Sequence, residues 1–192
     1  MTIALPIPGS PDAISTYDGL VSAIQYTLKD TTLESHAPRF IWNASASVPV
    51  GLYEIGSATP LEVTDLVAVN APEPLAAFLA DRGYLPRGVP LLKRVAALPG
   101  QTVCRSEGDI TVDGITVGNA LDRDRLGRTL PNWQGCHRLG ANELFLMNIG
   151  VRDSLDGRYF GPLPRTSIVA RLPSDLYRLI TSVSSGAISV PL

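Results

Sequence analysis

From Phe40 onward the apolar residues come in short runs, and proline or glycine closes many of them. The runs 51–55, 65–69, 89–98, 143–148 and 167–171 are of strand length. With 16 prolines and 17 glycines the 192-residue chain has turns enough to fold them back on one another. Asp109 to Val112 and Ile115 to Val117 flank Asp113-Gly114, the dipeptide that a two-residue type I′ hairpin turn favours. One helix is expected in this region, from Pro74, a favoured first helical residue, to Gly83, a stop signal. The residues therefore predict a mainly β protein with one or two short helices.

The length suits one well-cored domain, or one with a small insertion, and 45% hydrophobic residues supply the core. Residues 1–38 read differently. Pro6, Pro8, Gly9 and Pro11 break any early element, and Ile14, Tyr17, Val21, Ile24 and Leu28 then follow a helical spacing. Between Pro11 and Asp30 the longest uncharged stretch, Gly19 to Leu28, is about half of the roughly 20 apolar residues that a membrane span needs. This amphipathic helix is expected to pack on its own domain, a membrane surface or a partner being the alternatives. After Pro173 the chain is serine-rich, with a short helix expected over 175–181. The organisation so read is an N-terminal segment 1–38, a domain 39–173 with an insertion at 101–140 that contains the hairpin, and a tail 174–192.

A net charge of −2 without a basic run gives no electrostatic footprint for nucleic acid, and no phosphate-cradling GxxxxGK is present. The two histidines, His36 and His137, lie far apart, which excludes a multi-histidine metal site and disfavours a Ser-His-Asp triad. Any serine nucleophile then needs another base. The two cysteines, Cys104 and Cys136, are either reduced thiols or a bridge. A bridge would close a loop worth roughly 3–4 kcal/mol and imply an oxidising compartment. Arg123, Arg125 and Arg128, interleaved with aspartates, read as a solvated loop.

Lys93, one of two lysines, stands inside the apolar run 89–98. Strand alternation puts it on one face with Leu91, Val95 and Ala97, and puts Arg94 on the other with Leu92, Ala96 and Leu98. Its amine either snorkels to water or stays buried. Burial lowers its pKa and makes it a usable general base near neutral pH.

Two further segments frame that lysine. Ser45 and Ser47 stand two apart in Asn43-Ala44-Ser45-Ala46-Ser47-Val48-Pro49-Val50-Gly51-Leu52-Tyr53, by itself a turn. Its Asn43-Ala44-Ser45 triplet is a glycosylation-type sequon of no weight here. Asn148 to Pro164, which contains Asp153-Ser154-Leu155-Asp156-Gly157-Arg158 followed by Tyr159-Phe160-Gly161-Pro162, is a polar, glycine-bearing loop between two strands, by itself a salt-bridged corner. Together the three segments resemble, in order and spacing, the boxes of the serine-lysine signal peptidases of family S26, and within it the TraF-type conjugative transfer peptidases. The resemblance covers roughly 38–173.

That resemblance implies a signal-peptidase-like antiparallel β-sheet catalytic domain with a small β insertion. It implies Ser47 as nucleophile and Lys93 as general base, Ser45 as an oxyanion-hole hydroxyl, and Ser154 as the group that orients the lysine. Asp156 and Arg158 become a pair that holds the loop, with an assisting role proposed for such an aspartate. It also makes Cys104 and Cys136 a disulfide. The implied activity is endopeptidase processing of exported precursors such as propilins, with small residues before the cut, and with hydrolysis or cyclisation as its outcome. No cofactor is implied. The implied location is the periplasmic face of the inner membrane, with association with that membrane or the transfer machinery, although no anchor is visible. Two other classes compete: a non-catalytic component of the transfer assembly, and a LexA-like self-cleaving regulator. The regulator needs a DNA-binding domain, for which 38 leading residues are too few and insufficiently basic.

Overall fold

The structure, a computed structural model, describes residues 40–172. The helices expected over 11–30 and 175–181 lie outside the described residues. Within them the protein is mainly β, with eleven strands, two short helices and a 3-10 turn. None of the helices among the described residues is long and apolar enough to cross a membrane.

Three antiparallel sheets make the fold. Strands β1 (Phe40–Asn43) and β2 (Gly51–Glu54) form a hairpin in which Asn43 stands opposite Gly51. A five-stranded sheet has the order β10-β9-β4-β3-β11, from β3 (Leu66–Val69), β4 (Leu91–Ala97), β9 (Glu143–Leu146), β10 (Leu163–Pro164) and β11 (Ile168–Leu172). A four-stranded sheet has the order β7-β6-β5-β8, from β5 (Thr102–Ser106), β6 (Asp109–Val112), β7 (Ile115–Asn119) and β8 (Gly135–Arg138). Helix α1 (Leu75–Asp81) lies between β3 and β4, and α2 (Gly157–Phe160) follows β9.

The central strands explain the apolar runs. All four residues of β3 are buried, as are all of β4 except Arg94, because these strands are covered on both faces. On one face Val67, Val69, Leu91, Val95, Leu144 and Leu146 pack with Leu79 of α1. On the other, Leu66, Ala68, Leu92, Ala170 and Leu172 pack with Val48 and Tyr53 of the first hairpin. Lys93 stands opposite Val67, so it shares the face of Leu91 and Val95 as alternation predicts. A register shift between Val95 and Ala97 then breaks the alternation. Ala96 and Ala97 both join a third cluster, with Val103, Ile110 and Phe145, where the five- and four-stranded sheets meet. The β6–β7 turn is as expected, Val112 pairing with Ile115 around Asp113 (φ 48°) and Gly114 (φ 81°).

Two differences stand out. Strands β5 and β8 were not expected from the sequence. Residues 121–130 are not merely a solvated loop: Arg123 and Thr129 form a β-bridge, and Leu130 at its end is buried. Cys104 and Cys136 stand opposite each other in β5 and β8 and are joined by a disulfide.

Candidate active site

Residues 44–50 link β1 to β2, and two side chains fix their path. Val48 is buried among Leu66, Ala68 and Leu92, a contact worth roughly 1.5–3 kcal/mol for an apolar side chain of its size. Asn43, also buried, is the loop's hub. Its Nδ2 donates to the carbonyls of Ser45 (2.8 Å), Val48 (2.9 Å) and Pro49 (3.0 Å), while its Oδ1 accepts from the Ser45 N–H (3.0 Å). The Ser45 hydroxyl lies 2.8 Å from the same Oδ1, and an amide oxygen can only accept. Ser45 therefore spends its one proton on Asn43. The 3.0 Å contact between the Ser45 and Ser47 hydroxyls must then be donated by Ser47.

Lys93 reaches the same groove from β4. It is 4% exposed, and its Nζ donates to Ser154 Oγ at 2.9 Å. Burial lowers its pKa from 10.5 to about 8, with Asp156 opposing the shift and Arg158 adding to it. The amine is thus neutral in a substantial fraction of molecules near pH 8. Asn148, 3% exposed, holds the strand on either side of this lysine. Its Nδ2 donates to Leu92 O (3.2 Å) and its Oδ1 accepts from Arg94 N (3.1 Å), completing the β4 ladder where β9 has ended at Leu146.

Behind Ser154 lies a buried ion pair. The Arg158 Nε donates to Asp156 Oδ1 and its Nη2 to Asp156 Oδ2, both at 2.8 Å, in fork geometry. The carboxylate also accepts the backbone N–H of Asn148 (3.0 Å) and Arg158 (3.2 Å), capping α2. The remaining guanidinium hydrogens go to backbone carbonyls, those of Val151 (2.7 Å), Arg152 (3.1 Å), Asn148 (3.3 Å) and Asn119 (3.5 Å). Every lone pair is directed at the loop, so Asp156 acts here as its clasp. From the four-stranded sheet the buried Arg105 donates to Arg158 O at 2.5 Å.

Ser45, Ser47, Lys93 and Ser154 line one groove of about 760 Å³. Its far lip is the 121–130 arch, docked on the turn after α1. Arg82 donates to Thr129 O (2.7 Å), Arg128 donates to Arg82 O (3.0 Å), and Arg128 lies over the Tyr84 ring. Among the described residues no direct hydrogen bond joins Ser47 to Lys93: each hydroxyl or amine is held by its own neighbour, Ser45 or Ser154. Asp156 and Arg158 stand behind the groove, and the cysteines stand away from it. His137 pairs with Glu143 at 2.7 Å on the surface, and His36 lies outside the described residues. No three His, Cys, Asp or Glu side chains gather as a metal site would need among the described residues. Sequence reading missed Asn43 and Asn148 as positioning groups. The only signal was an asparagine at the end of an apolar run, next to each loop of interest.

Residues 20–176 match the family model described as signal peptidase, peptidase S26. A plasmid transfer protein TraF of Escherichia coli is 34% identical over 137 residues, covering 66% of this chain and 76% of its own length. A conjugal transfer protein TraF of Agrobacterium tumefaciens (strain 15955) is 35% identical over 141 residues, covering 67% of this chain and 77% of its own. Among solved structures, a signal peptidase I from Enterococcus faecalis V583 aligns with 18% identity and a TM-score of 0.37, over 60% of this chain and 98% of that one.

Proposed function

The chain belongs to the signal peptidase S26 family, and from that premise we propose that it is a serine endopeptidase in which Ser47 attacks a peptide carbonyl and Lys93 moves the proton. The observation that carries this reading is Lys93 itself. A buried lysine with its pKa lowered to about 8, held by Ser154 in the groove that the Ser47 loop borders, is costly to keep and matches what a general base requires.

In the resting site the Ser47 hydroxyl rests on Ser45. When a peptide fills the groove, that hydroxyl turns to neutral Lys93, which takes its proton as Oγ bonds to the carbonyl carbon. The oxyanion is met by the Ser47 backbone N–H and by the Ser45 hydroxyl released from Asn43, a donor of the kind typically worth a few kcal/mol. Protonated Lys93 returns the proton to the departing amine, leaving an ester on Ser47. Water, or an amine of the same peptide, then resolves that ester; the first outcome is hydrolysis, the second a cyclic product. Ser154, Asn148 and the Asp156–Arg158 clasp keep the lysine in place throughout.

The proposed substrate is an exported precursor of a conjugation system, such as a pilin subunit, processed on the outer face of the inner membrane. Relatives named for plasmid and conjugal transfer support that reading. The decisive experiment is incubation of the full chain with a candidate propilin, followed by intact-mass measurement. Loss of a peptide supports hydrolysis, and loss of one further water supports cyclisation. Labelling by a serine-directed acylating probe is expected in the wild type, and is expected to disappear in Ser47→Ala. A folded protein that neither cleaves nor is labelled would point instead to an assembly component.

A further inference from the structure

Away from the serines the groove is lined by four arginines, Arg82, Arg123, Arg125 and Arg128, against two aspartates, Asp124 and Asp153. This local excess of positive charge stands out on a chain of net charge −2. Two of the arginines are neutralised. Arg128 pairs with Asp124 at 2.6 Å, and Arg125 pairs with Asp153. Asp124 is fully committed. Burial works against its charge, but the Tyr84 hydroxyl and the backbone and side chain of Arg128 more than offset this and hold its carboxyl below the usual range.

Arg82 and Arg123 have no carboxylate partner among the described residues. Neither is loose. Arg82 gives one Nη1 hydrogen bond to Thr129 O (2.7 Å) and lies over the Phe78 ring at 4.9 Å, and Arg123 gives one to Gly127 O (2.7 Å). Thr129 is also the bridge partner of Arg123, so one short stretch of backbone anchors both guanidiniums. Each keeps most of its five N–H donors for a ligand. Two anchored cations without a counter-charge, on the lip of a groove, have lost much of the rotamer freedom that a flexible arginine gives up on binding.

We infer that Arg82 and Arg123 form a carboxylate clamp that selects substrates carrying negative charge at a distance from the bond cut. The clamp recognises a carboxylate, which a peptide offers either as an aspartate or glutamate side chain or as a free C-terminus. The inference rests on the reading of the groove as a peptide site, but not on Ser47 being reactive.

Binding to the Ser47→Ala protein therefore tests it without turnover. Three fluorescent alanine-rich decapeptides serve as probes: one with two glutamates and an amidated C-terminus, one with two glutamines and a free carboxylate, and one with two glutamines and an amidated C-terminus. Anisotropy is expected to show one or both acidic probes binding about tenfold tighter than the neutral one, with the preference falling as salt is raised. It is expected to disappear in Arg82→Gln/Arg123→Gln while the unfolding midpoint is kept, and to survive in Arg82→Lys/Arg123→Lys in weakened form. Which acidic probe is favoured assigns the carboxylate to a side chain or to the chain end. Equal binding of all three probes, no binding of any, or a preference untouched by the double glutamine substitution would overturn the clamp. Loss of probe labelling at Ser47 in the wild type would overturn the peptidase reading and leave this result standing.

Discussion

Lys93 shows what a buried amine costs. Its pKa falls from 10.5 to about 8 because its ammonium is desolvated. Below pH 8 both folded and unfolded chains carry the proton, and the folded state bears the full penalty of about 3 kcal/mol. Between pH 8 and 10.5 the unfolded chain holds a proton that the folded one has lost, so stability rises with pH across that window. Above it the penalty is gone. Lys93→Met removes the charge and keeps the volume, at the cost of the Ser154 hydrogen bond, roughly 1 kcal/mol. It is therefore expected to be about 1–3 kcal/mol more stable than the wild type at pH 7, and to lose that advantage by pH 10.5. Urea unfolding of both proteins at the two pH values checks this, and an unchanged difference would mean that the amine is not desolvated. In the proposed mechanism the same ionisation governs turnover. At pH 7 about a tenth of the molecules hold a neutral amine, so kcat/KM is expected to climb through an apparent pKa of about 8. A limb near 10.5 would mean that the amine is not desolvated as the structure has it.

The loop from Asn148 to α2 is the element that turns a buried lysine into a positioned one, and its tightest point is Gly157. A Cβ there would stand 2.7 Å from the Phe145 ring and 2.8 Å from the Leu146 carbonyl, and the second of these is strand backbone that cannot rotate away. Gly157→Ala is expected to destabilise the fold by about 1–3 kcal/mol through overpacking. It is also expected to reduce activity beyond what the unfolded fraction explains, since the start of α2 carries the clasp that holds Ser154. Comparing activity with the folded fraction at matched urea concentrations separates the two effects; an activity that tracks the folded fraction would dissociate the clasp from the lysine. Other elements were legible beforehand. The run around Lys93, the helix after Pro74 and the Asp113-Gly114 hairpin declared themselves, because period and turn chemistry are local. Strand β8 did not, since all four of its residues are exposed and it is held by its pairing with β5 rather than by an apolar face. Strand β5 was hidden by Arg105, a charged residue at an inward position. Asn43 and Asn148 were hidden because their partners are carbonyls and N–H groups whose positions depend on where other strands stop.

At the scale of the molecule, the two larger sheets are joined by contacts that make independent unfolding expensive. Ala96, Ala97 and Phe145 from one share a buried cluster with Val103, Ile110 and Val112 from the other, and Arg105 ties β5 to the carbonyl of Arg158. The chain's two tryptophans report on different parts of this arrangement. Trp42 lies in β1 beside the Ser47 loop, while Trp133 donates to Gly157 O at 3.0 Å and meets the Phe145 ring edge-on. Proteins retaining only Trp42 or only Trp133, the other being phenylalanine, are expected to give coincident urea transitions. Replacing both cysteines by serine opens a loop of 32 residues' separation and is expected to cost roughly 3–4 kcal/mol. Because of the shared cluster, that loss should move both transitions together. If the Trp133 transition moved alone, the four-stranded sheet would be a separately unfolding unit. In that case the Gly157 carbonyl would lose its Trp133 donor before the Trp42 hairpin responded, and activity in urea would fall with the Trp133 signal.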